Sequence, residues 1–114
     1  MPFDFEDFPV YKDAIKFIQE IDDFLESIPQ KGNLRLIDQL QRASISISLN
    51  IAEGAGRFHK SDKKNFYVMA RGSVYECAAC FQIFMAKKMI NAEQYEIFYK
   101  NLNNLARQLS AMIK

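Results

Sequence analysis

The scarcity of helix-breaking residues constrains the fold of this chain more than any other feature of its sequence. No proline follows Pro29, and the 114 residues include only four glycines. Apolar residues recur at intervals of three and four, which places them on one face of an α-helix. The pattern predicts an all-α fold with four long helices, over about residues 9–28, 34–54, 62–88 and 92–113. Such helices with short loops are typical of an up-down-up-down four-helix bundle, here a single domain over residues 1–114.

Polar residues at the expected helix starts support these boundaries. The candidate N-caps are Asp7, Asn33, Asn91 and either Ser61 or Asp62. Pro9 falls early in the first helix, where its missing N–H costs little. Gln94 follows Asn91 by three residues, an arrangement that matches a capping box. We expect the aromatic and acidic segment before the first helix to be an extended lead-in.

The segment 42–57 combines an apolar stripe with a polar one. Its alternating isoleucines and leucine could form a strand, but they also continue the helical stripe of the preceding residues, so we predict a helix. The polar residues stack on one helical face and are Arg42, Ser46, Asn50, Glu53 and Arg57. Such groups need partners if they are buried, and Ser73 and Glu76 of the third helix could supply them.

Two interpretations of these polar residues stay open. The first is a structural polar network that sets the register of the second and third helices, formed by Arg42, Ser46, Asn50, Glu53, Ser73 and Glu76. The second is a functional pocket in which Glu53 and Glu76 do acid–base work. No nucleophile, base and oxyanion-donor set accompanies the two carboxylates in sequence, so we expect no catalytic residues and no enzyme.

Several motifs resemble one known family. They are Val10-Tyr11-Lys12, the segment QLQRASISISLNIAEGAGR over residues 39–57, and F-x-x-x-A-R-G-S-x-x-E over residues 66–76. Together they resemble the 23S rRNA intervening-sequence proteins, in order and over nearly the whole chain. The resemblance implies a four-helix bundle that assembles as a homopentameric ring. Genes of this family often lie within insertions in large-subunit ribosomal RNA genes. A related branch, the accessory variability determinants of diversity-generating retroelements, works with a reverse transcriptase and RNA.

Positive charge is concentrated in the later part of the chain. Residues 1–30 carry eight acids against two lysines, whereas the remaining residues carry 13 Lys and Arg against six acids. The candidate nucleic-acid-binding residues are Arg57, His59, Lys60, Lys63, Lys64, Arg71, Lys100 and Arg107. Phe58 and Tyr67 lie among them as candidate stacking rings, a combination that suits phosphate contacts and base stacking on a single strand. The alternative is a solvated surface of ordinary helix faces.

The two cysteines, Cys77 and Cys80, have CxxC spacing but no second ligand pair. They fall within a helical apolar stripe, so we interpret them as buried core thiols. The chain has one histidine, His59, expected to be exposed in a basic loop. The sequence therefore predicts no metal site and no cofactor.

The apolar stripes of the first and third helices are wider than one bundle core requires. A monomer seldom exposes such patches, so we expect a homo-oligomer. The chain has no run of about 18 apolar residues and no basic, apolar start, which predicts no membrane span, no export and a cytoplasmic location. The first functional hypothesis is a non-enzymatic RNA- or DNA-binding accessory protein. The near-neutral net charge of +1 keeps an alternative open, a structural or protein-interaction scaffold without a nucleic-acid ligand.

Overall fold

Four α-helices account for most of the computed structural model, which describes residues 3–114. Their bounds are α1 Pro9–Glu26, α2 Leu34–Ala55, α3 Lys60–Ala86 and α4 Ala92–Ile113. A short 3₁₀ helix, Asp4–Asp7, precedes them, and the described residues contain no strand. The predicted all-α fold is therefore confirmed. Met1 and Pro2, the first two residues of the predicted domain, lie outside the described residues.

The helices pack side by side along a molecule of 44 × 22 × 21 Å. The α2 helix packs along α3, α3 against α4, and α1 mainly against α2. At one end, the Lys87 ammonium donates to the Asn33 side-chain oxygen at 2.8 Å, which joins the loops before α2 and before α4. Near the other end, Arg71 of α3 reaches Ser110 of α4. The end of α3 thus lies beside the start of α2, and the first half of α3 lies beside the end of α4, so these neighbouring helices are antiparallel.

Aromatic rings fill the centre of the bundle. Phe81 and Phe98 stack with ring centroids 4.5 Å apart, and Phe24 packs its edge on Phe98 at 5.6 Å. Phe17 and Phe84 are almost completely buried beside them. Each fully buried ring of this kind stabilises the fold by about 1.5–3 kcal/mol through the area removed from water, so the core holds the helices that carry the surface residues.

The helix starts differ in part from the sequence prediction. Asn91 caps α4 in the predicted capping box, with its side-chain oxygen accepting from the Gln94 amide at 2.7 Å. Pro9 is the first residue of α1, as expected, but Asp7 is not its N-cap. The 3₁₀ turn places Phe8 there instead, because the Phe8 amide bonds the Phe5 carbonyl. The predicted extended lead-in is therefore wrong.

At the second helix, Asn33 occupies the N-cap position, but its side chain does not cap the helix. Its amide donates backwards to the Pro29 carbonyl at 2.9 Å. The α3 helix begins at Lys60, with His59 as the N-cap residue, so neither Ser61 nor Asp62 has that role. Both lie within the first turn of α3, where short polar side chains are also tolerated.

Two helices end earlier than their apolar stripes suggest. The α1 helix ends at Glu26, because Pro29 has no N–H to bond the Leu25 carbonyl, which accepts from the Gln30 side-chain amide instead. The α3 helix ends at Ala86 in a Schellman motif: the Met89 amide bonds the Phe84 carbonyl, and Lys88 has φ 59°. Glycine is usual at such a left-handed position, so the sequence places the end of α3 within two residues but does not indicate the left-handed conformation of Lys88.

Candidate nucleic-acid interface

The polar residues of α2 divide into separate groups. Ser46 and Ser73 join α2 to α3 through a hydroxyl–hydroxyl bond of 3.0 Å. Asn50 donates to the Ser46 carbonyl at 2.9 Å and to its hydroxyl at 3.0 Å. All three residues are half-buried. They connect the two helices and hold the register of α2 against α3 at this level.

The charged members of the predicted network are not part of this connection. Arg42 pairs with Asp38 at 2.8 Å, both on the exposed face of α2. Glu53 pairs with Arg57 at 3.2 Å along the same helix, and Glu76 accepts from Gln39 at the surface. A spacing of four brings partners together within one helix, and charges left in water avoid the desolvation that a buried pair requires. The prediction that these charges form one network between the helices is therefore wrong: Arg42, Glu53 and Arg57 pair within α2, and only Glu76 of α3 reaches α2, through Gln39.

The turn between α2 and α3 carries the densest positive charge, a group that we call the turn cluster. It comprises Arg57, His59, Lys60, Lys63 and Lys64. Two of its members are already engaged within the protein. The Lys63 ammonium donates to the Ala55 carbonyl at 2.8 Å, near the C-terminal end of α2, where a cation suits the helix dipole. The Arg57 guanidinium lies 4.6 Å from the Phe66 ring centroid, in addition to its pair with Glu53.

The other members of the turn cluster are open to solvent to different degrees. His59 and Lys60 are exposed, and Lys64 is half-buried. None of the three has an ion-pair partner among residues 3–114. The Phe58 side chain beside them is 98% exposed. These side chains could contact a polyanion without first giving up an internal bond.

Tyr67, the second candidate stacking ring, is buried and cannot accept a base. Its ring packs on Gly54, where an added Cβ would come within 2.8 Å of the Tyr67 Cε1 atom. Burial, and to a smaller extent the charge of Asp4, raises the pKa of the Tyr67 hydroxyl above its ordinary value. The prediction that Tyr67 stacks on a ligand is therefore wrong, because a glycine on α2 lets the helices approach and enclose the ring.

The remaining basic candidates lie away from the turn cluster, Arg71 between α3 and α4, and Lys100 and Arg107 on the outer face of α4. Arg71 donates from Nε to the Ser110 hydroxyl at 2.8 Å and from Nη2 to the Tyr75 hydroxyl at 3.0 Å. Its guanidinium also lies 4.8 Å from the Tyr75 ring centroid. Lys100 and Arg107 are exposed on α4 and have no ion pair in the described part of the chain. The basic candidates therefore do not form one continuous group.

A groove that the sequence analysis missed runs between α3 and α4. We call it the α3–α4 groove, and its lining includes Tyr75, Ala78, Gln82, Tyr99, Asn103 and Ala106. Tyr75 is 57% exposed and Tyr99 is 44% exposed. The signal in the sequence is that both tyrosines fall outside the apolar stripes of their helices. An aromatic residue on a polar helix face does not pack in the core, so its ring stays at the surface.

Cys77 and Cys80 lie in the core beneath α3. Both side chains are buried, and burial is the main cause that raises the pKa of each thiol above its ordinary value. The structure thus agrees with their interpretation as core thiols. Residues 3–114 contain no group of three His, Cys, Asp or Glu side chains that could hold a metal ion. None of their helices has an apolar stretch that could cross a membrane.

Comparison with known proteins identifies the family of this chain. The model of the 23S rRNA-intervening sequence protein family matches residues 6–111. The chain belongs to this family. The matched region of this 23S rRNA-intervening sequence protein includes the turn cluster, the α3–α4 groove, all of α1, α2 and α3, and α4 as far as residue 111.

One solved structure shows the same fold as this family member. It is a protein of unknown function of the S23 ribosomal protein family from Bacteroides thetaiotaomicron VPI-5482, with a TM-score of 0.83 and 24% sequence identity. The match covers 92% of this chain and 98% of the other. No curated protein matches the chain. At 24% sequence identity, this match shows that the two proteins have the same fold.

Proposed function

We propose that this 23S rRNA-intervening sequence protein is a non-enzymatic accessory protein that binds RNA or DNA in the cytoplasm as a homo-oligomer. The observation that carries the proposal is that only Arg42 and Arg57 form ion pairs within the described residues, which leaves Lys60, Lys64, Lys100 and Arg107, among other cations, free to pair with a ligand. Most of the acids that balance the net charge lie elsewhere, in residues 1–30. Cations free of internal partners can release counterions from a phosphate backbone, which is the main source of nonspecific affinity for nucleic acid.

An apolar surface supports the oligomeric part of the proposal. The α2–α3 apolar patch comprises Ile45, Leu49, Phe66 and Met69, on the outer side of these helices. Leu49 is 63% exposed and Met69 is 49% exposed. Contiguous exposed apolar side chains mark contact surfaces. The family resemblance suggests a ring of five copies, in which each modest cation group would be repeated and its field strengthened.

The binding proposal is tested by fluorescence anisotropy with labelled single-stranded RNA and duplex DNA, at about 50 and 200 mM salt. The informative variant is Lys60→Glu/Lys64→Glu, which leaves the Lys63 bond to α2 intact. Its matched control is Lys31→Glu/Arg35→Glu, the same charge change on exposed residues at the opposite end of the bundle. We expect salt-sensitive binding that the first variant weakens more than the control. No binding at low salt by the native chain would overturn the proposal.

The oligomer is tested by light scattering coupled to size-exclusion chromatography. Leu49→Asp places a carboxylate in the α2–α3 apolar patch and should lower the mass to that of a smaller assembly. Ile97→Asp is the matched control, because Ile97 is similarly exposed, at 52%, but lies on α4. A native mass of one chain would contradict the oligomeric part of the proposal.

The α2–α3 apolar patch also favours a second candidate function, a protein-interaction scaffold. Its exposed apolar area and the net charge of +1 suit a protein partner as well as a second copy. A native chain that stays monomeric and binds no nucleic acid at about 50 mM salt, where phosphate contacts are strongest, would favour this alternative.

A further inference from the structure

We propose that the α3–α4 groove is a base-stacking site for single-stranded nucleic acid, with Tyr75 and Tyr99 as its stacking rings. The inference rests on the proposed function and deepens it, because it selects single strands over duplexes and places the contact with the bases. The turn cluster then supplies charge alone. Four features of the groove support this assignment: its aromatic walls, its size, its unsatisfied amides and its charge.

The two tyrosines lie on opposite walls and at different heights. The bond between Arg71 and Ser110 sets the register of the antiparallel helices, so that Tyr75 lies near Ala106 and Tyr99 lies near Gln82. Seven residues separate Tyr75 from Gln82, which is about 10 Å along α3 at 1.5 Å per residue. Alanines line the wall between them. Aromatic rings spaced along an open channel are the usual stacking platform for the bases of a single strand.

The size of the groove suits a single unstacked base. Its volume is about 320 Å³, at the lower end of the range of roughly 300–1,000 Å³ for ligand sites. A single base with part of its sugar is an object of this scale. A base within a duplex is covered on both faces by its neighbours and cannot lie on a protein ring, whereas an unstacked base can.

Two amides in the groove are free to contact base edges. Gln82 and Asn103 are exposed, and neither side chain has a hydrogen-bond partner among residues 3–114. An amide presents both a donor and an acceptor, so each can bond the polar edge of a base that is stacked nearby. The pair would therefore hold a base in the plane that the tyrosine rings define.

The charge around the groove suits the phosphates of the same strand. No carboxylate is among the described residues that line it, and Arg71 lies at one end with its guanidinium held by Ser110 and Tyr75. Lys100 and Arg107 are exposed on the outer face of α4, between its edge toward α3 and its edge toward α1. One acid, Glu96, precedes Lys100 by a turn of this helix. The net charge of these four residues is positive, which is complementary to a phosphate backbone.

The test compares Tyr75→Leu/Tyr99→Leu with Phe58→Leu in the anisotropy assay, using labelled oligouridine RNA and a blunt-ended RNA duplex without a loop. We expect the double variant to bind oligouridine at least tenfold more weakly, with an unchanged salt slope, since stacking is lost and no charge is removed. Duplex binding should change less than about twofold. Tyr75→Phe/Tyr99→Phe should restore most of the affinity, because it keeps both rings.

Other outcomes separate the inference from the proposed function. Native-like oligouridine binding by the double leucine variant, or a loss with Phe58→Leu instead, would overturn the groove as the stacking site and leave nucleic-acid binding standing. Absence of any binding by the native chain would contradict both the stacking site and the proposed nucleic-acid binding. Photocrosslinking of 5-iodouridine RNA to the native protein avoids dependence on variant folding. Crosslinks at Tyr75 or Tyr99 support the inference, and crosslinks confined to Phe58 contradict it.

Discussion

The two edges of α4 both carry amide side chains, but these differ in whether they have hydrogen-bond partners within the protein. On the edge toward α1, Asn104 and Gln108 both donate to the Asp13 carboxylate, at 2.9 and 2.8 Å, and Asn101 donates to Glu20 at 3.2 Å. We call this surface the α1–α4 cleft. On the edge toward α3, Asn103 has no such acceptor among the described residues, and the neighbouring wall carries Tyr75 in place of an acid.

The difference shows how amides on one helix acquire different roles. In the α1–α4 cleft, carboxylates of α1 satisfy the amides, and these bonds join two helices that share little backbone contact. In the α3–α4 groove, close packing already holds the helices together, so the polar side chains at its mouth are not needed for that purpose. The cleft therefore contributes stability, and the groove is available to a ligand. The predictions below test this division.

The largest expected effect is on nucleic-acid binding. Lys100→Glu/Arg107→Glu reverses two exposed cations on the outer face of α4 and should weaken single-stranded RNA binding about 10- to 100-fold at low salt. Lys12→Glu/Lys16→Glu makes the same charge change beside the α1–α4 cleft and should have a much smaller effect. Anisotropy titrations of both variants measure the ratio. Equal losses would show that net charge matters and that the outer face of α4 does not.

A large effect on stability is expected at the α1–α4 cleft. Asp13→Ala removes the acceptor of two half-buried amides and should lower the free energy of unfolding by about 1–3 kcal/mol. Asn103→Ala, on the other edge, should change it by less than about 0.5 kcal/mol. Thermal denaturation followed by circular dichroism measures both. Similar losses in the two variants would contradict the division of roles.

The core thiols report on opening of the bundle. Burial raises the pKa of Cys77 and Cys80 above the ordinary value of a thiol, so the folded state keeps protons that the unfolded state loses at high pH. The stabilisation from these neutral thiols is complete below the ordinary thiol pKa of about 8.5 and declines as pH rises above it. Thiol labelling of the native protein should be slow at pH 8.

Asp13→Ala should speed that labelling about tenfold for each 1.4 kcal/mol of stability that it removes. Asn103→Ala provides the control and should leave the rate nearly unchanged. Rapid labelling of the native chain would mean that the thiols are accessible without opening of the bundle.

The smallest expected effect concerns the end of α3, away from both edges of α4. Lys88→Gly relieves a left-handed backbone conformation and should raise the free energy of unfolding by up to about 1 kcal/mol. Because Lys88 lies outside the groove, RNA affinity should stay within about twofold of native. Urea denaturation provides the stability value. A loss of stability would mean that the lysine side chain contributes more than its conformation costs.

The sequence predicts the helices well because three- and four-residue spacing depends on local geometry alone. It does not indicate an unusual backbone conformation at a helix end, as at Lys88. It fails for the polar residues, because a spacing of four permits a pair within one helix or between two. Tyr67 shows the same limit: its burial depends on how closely Gly54 lets α2 and α3 approach, and no local pattern encodes that distance.

The turn cluster was visible as a run of charges, whereas the α3–α4 groove was not. Arg71, Tyr75 and Ser110 come together from two helices, and Ser110 lies 39 positions from Arg71 in the chain. Only the rotation of α4 about its axis determines that Asn103 faces the groove and Asn104 faces α1. That rotation is set by core residues such as Leu102 and Leu105, whose spacing identifies a helix but not its neighbours.

The anchoring of Arg71 by Ser110 and Tyr75 has a kinetic consequence. Since its guanidinium is already immobilised, a strand that enters the groove need not wait for this side chain to be ordered. Encounter would then proceed at the rate that electrostatic attraction allows, without a preceding conformational step. Differences in affinity among sequences would appear as differences in residence time, and purines, with larger stacking faces, would leave more slowly than pyrimidines.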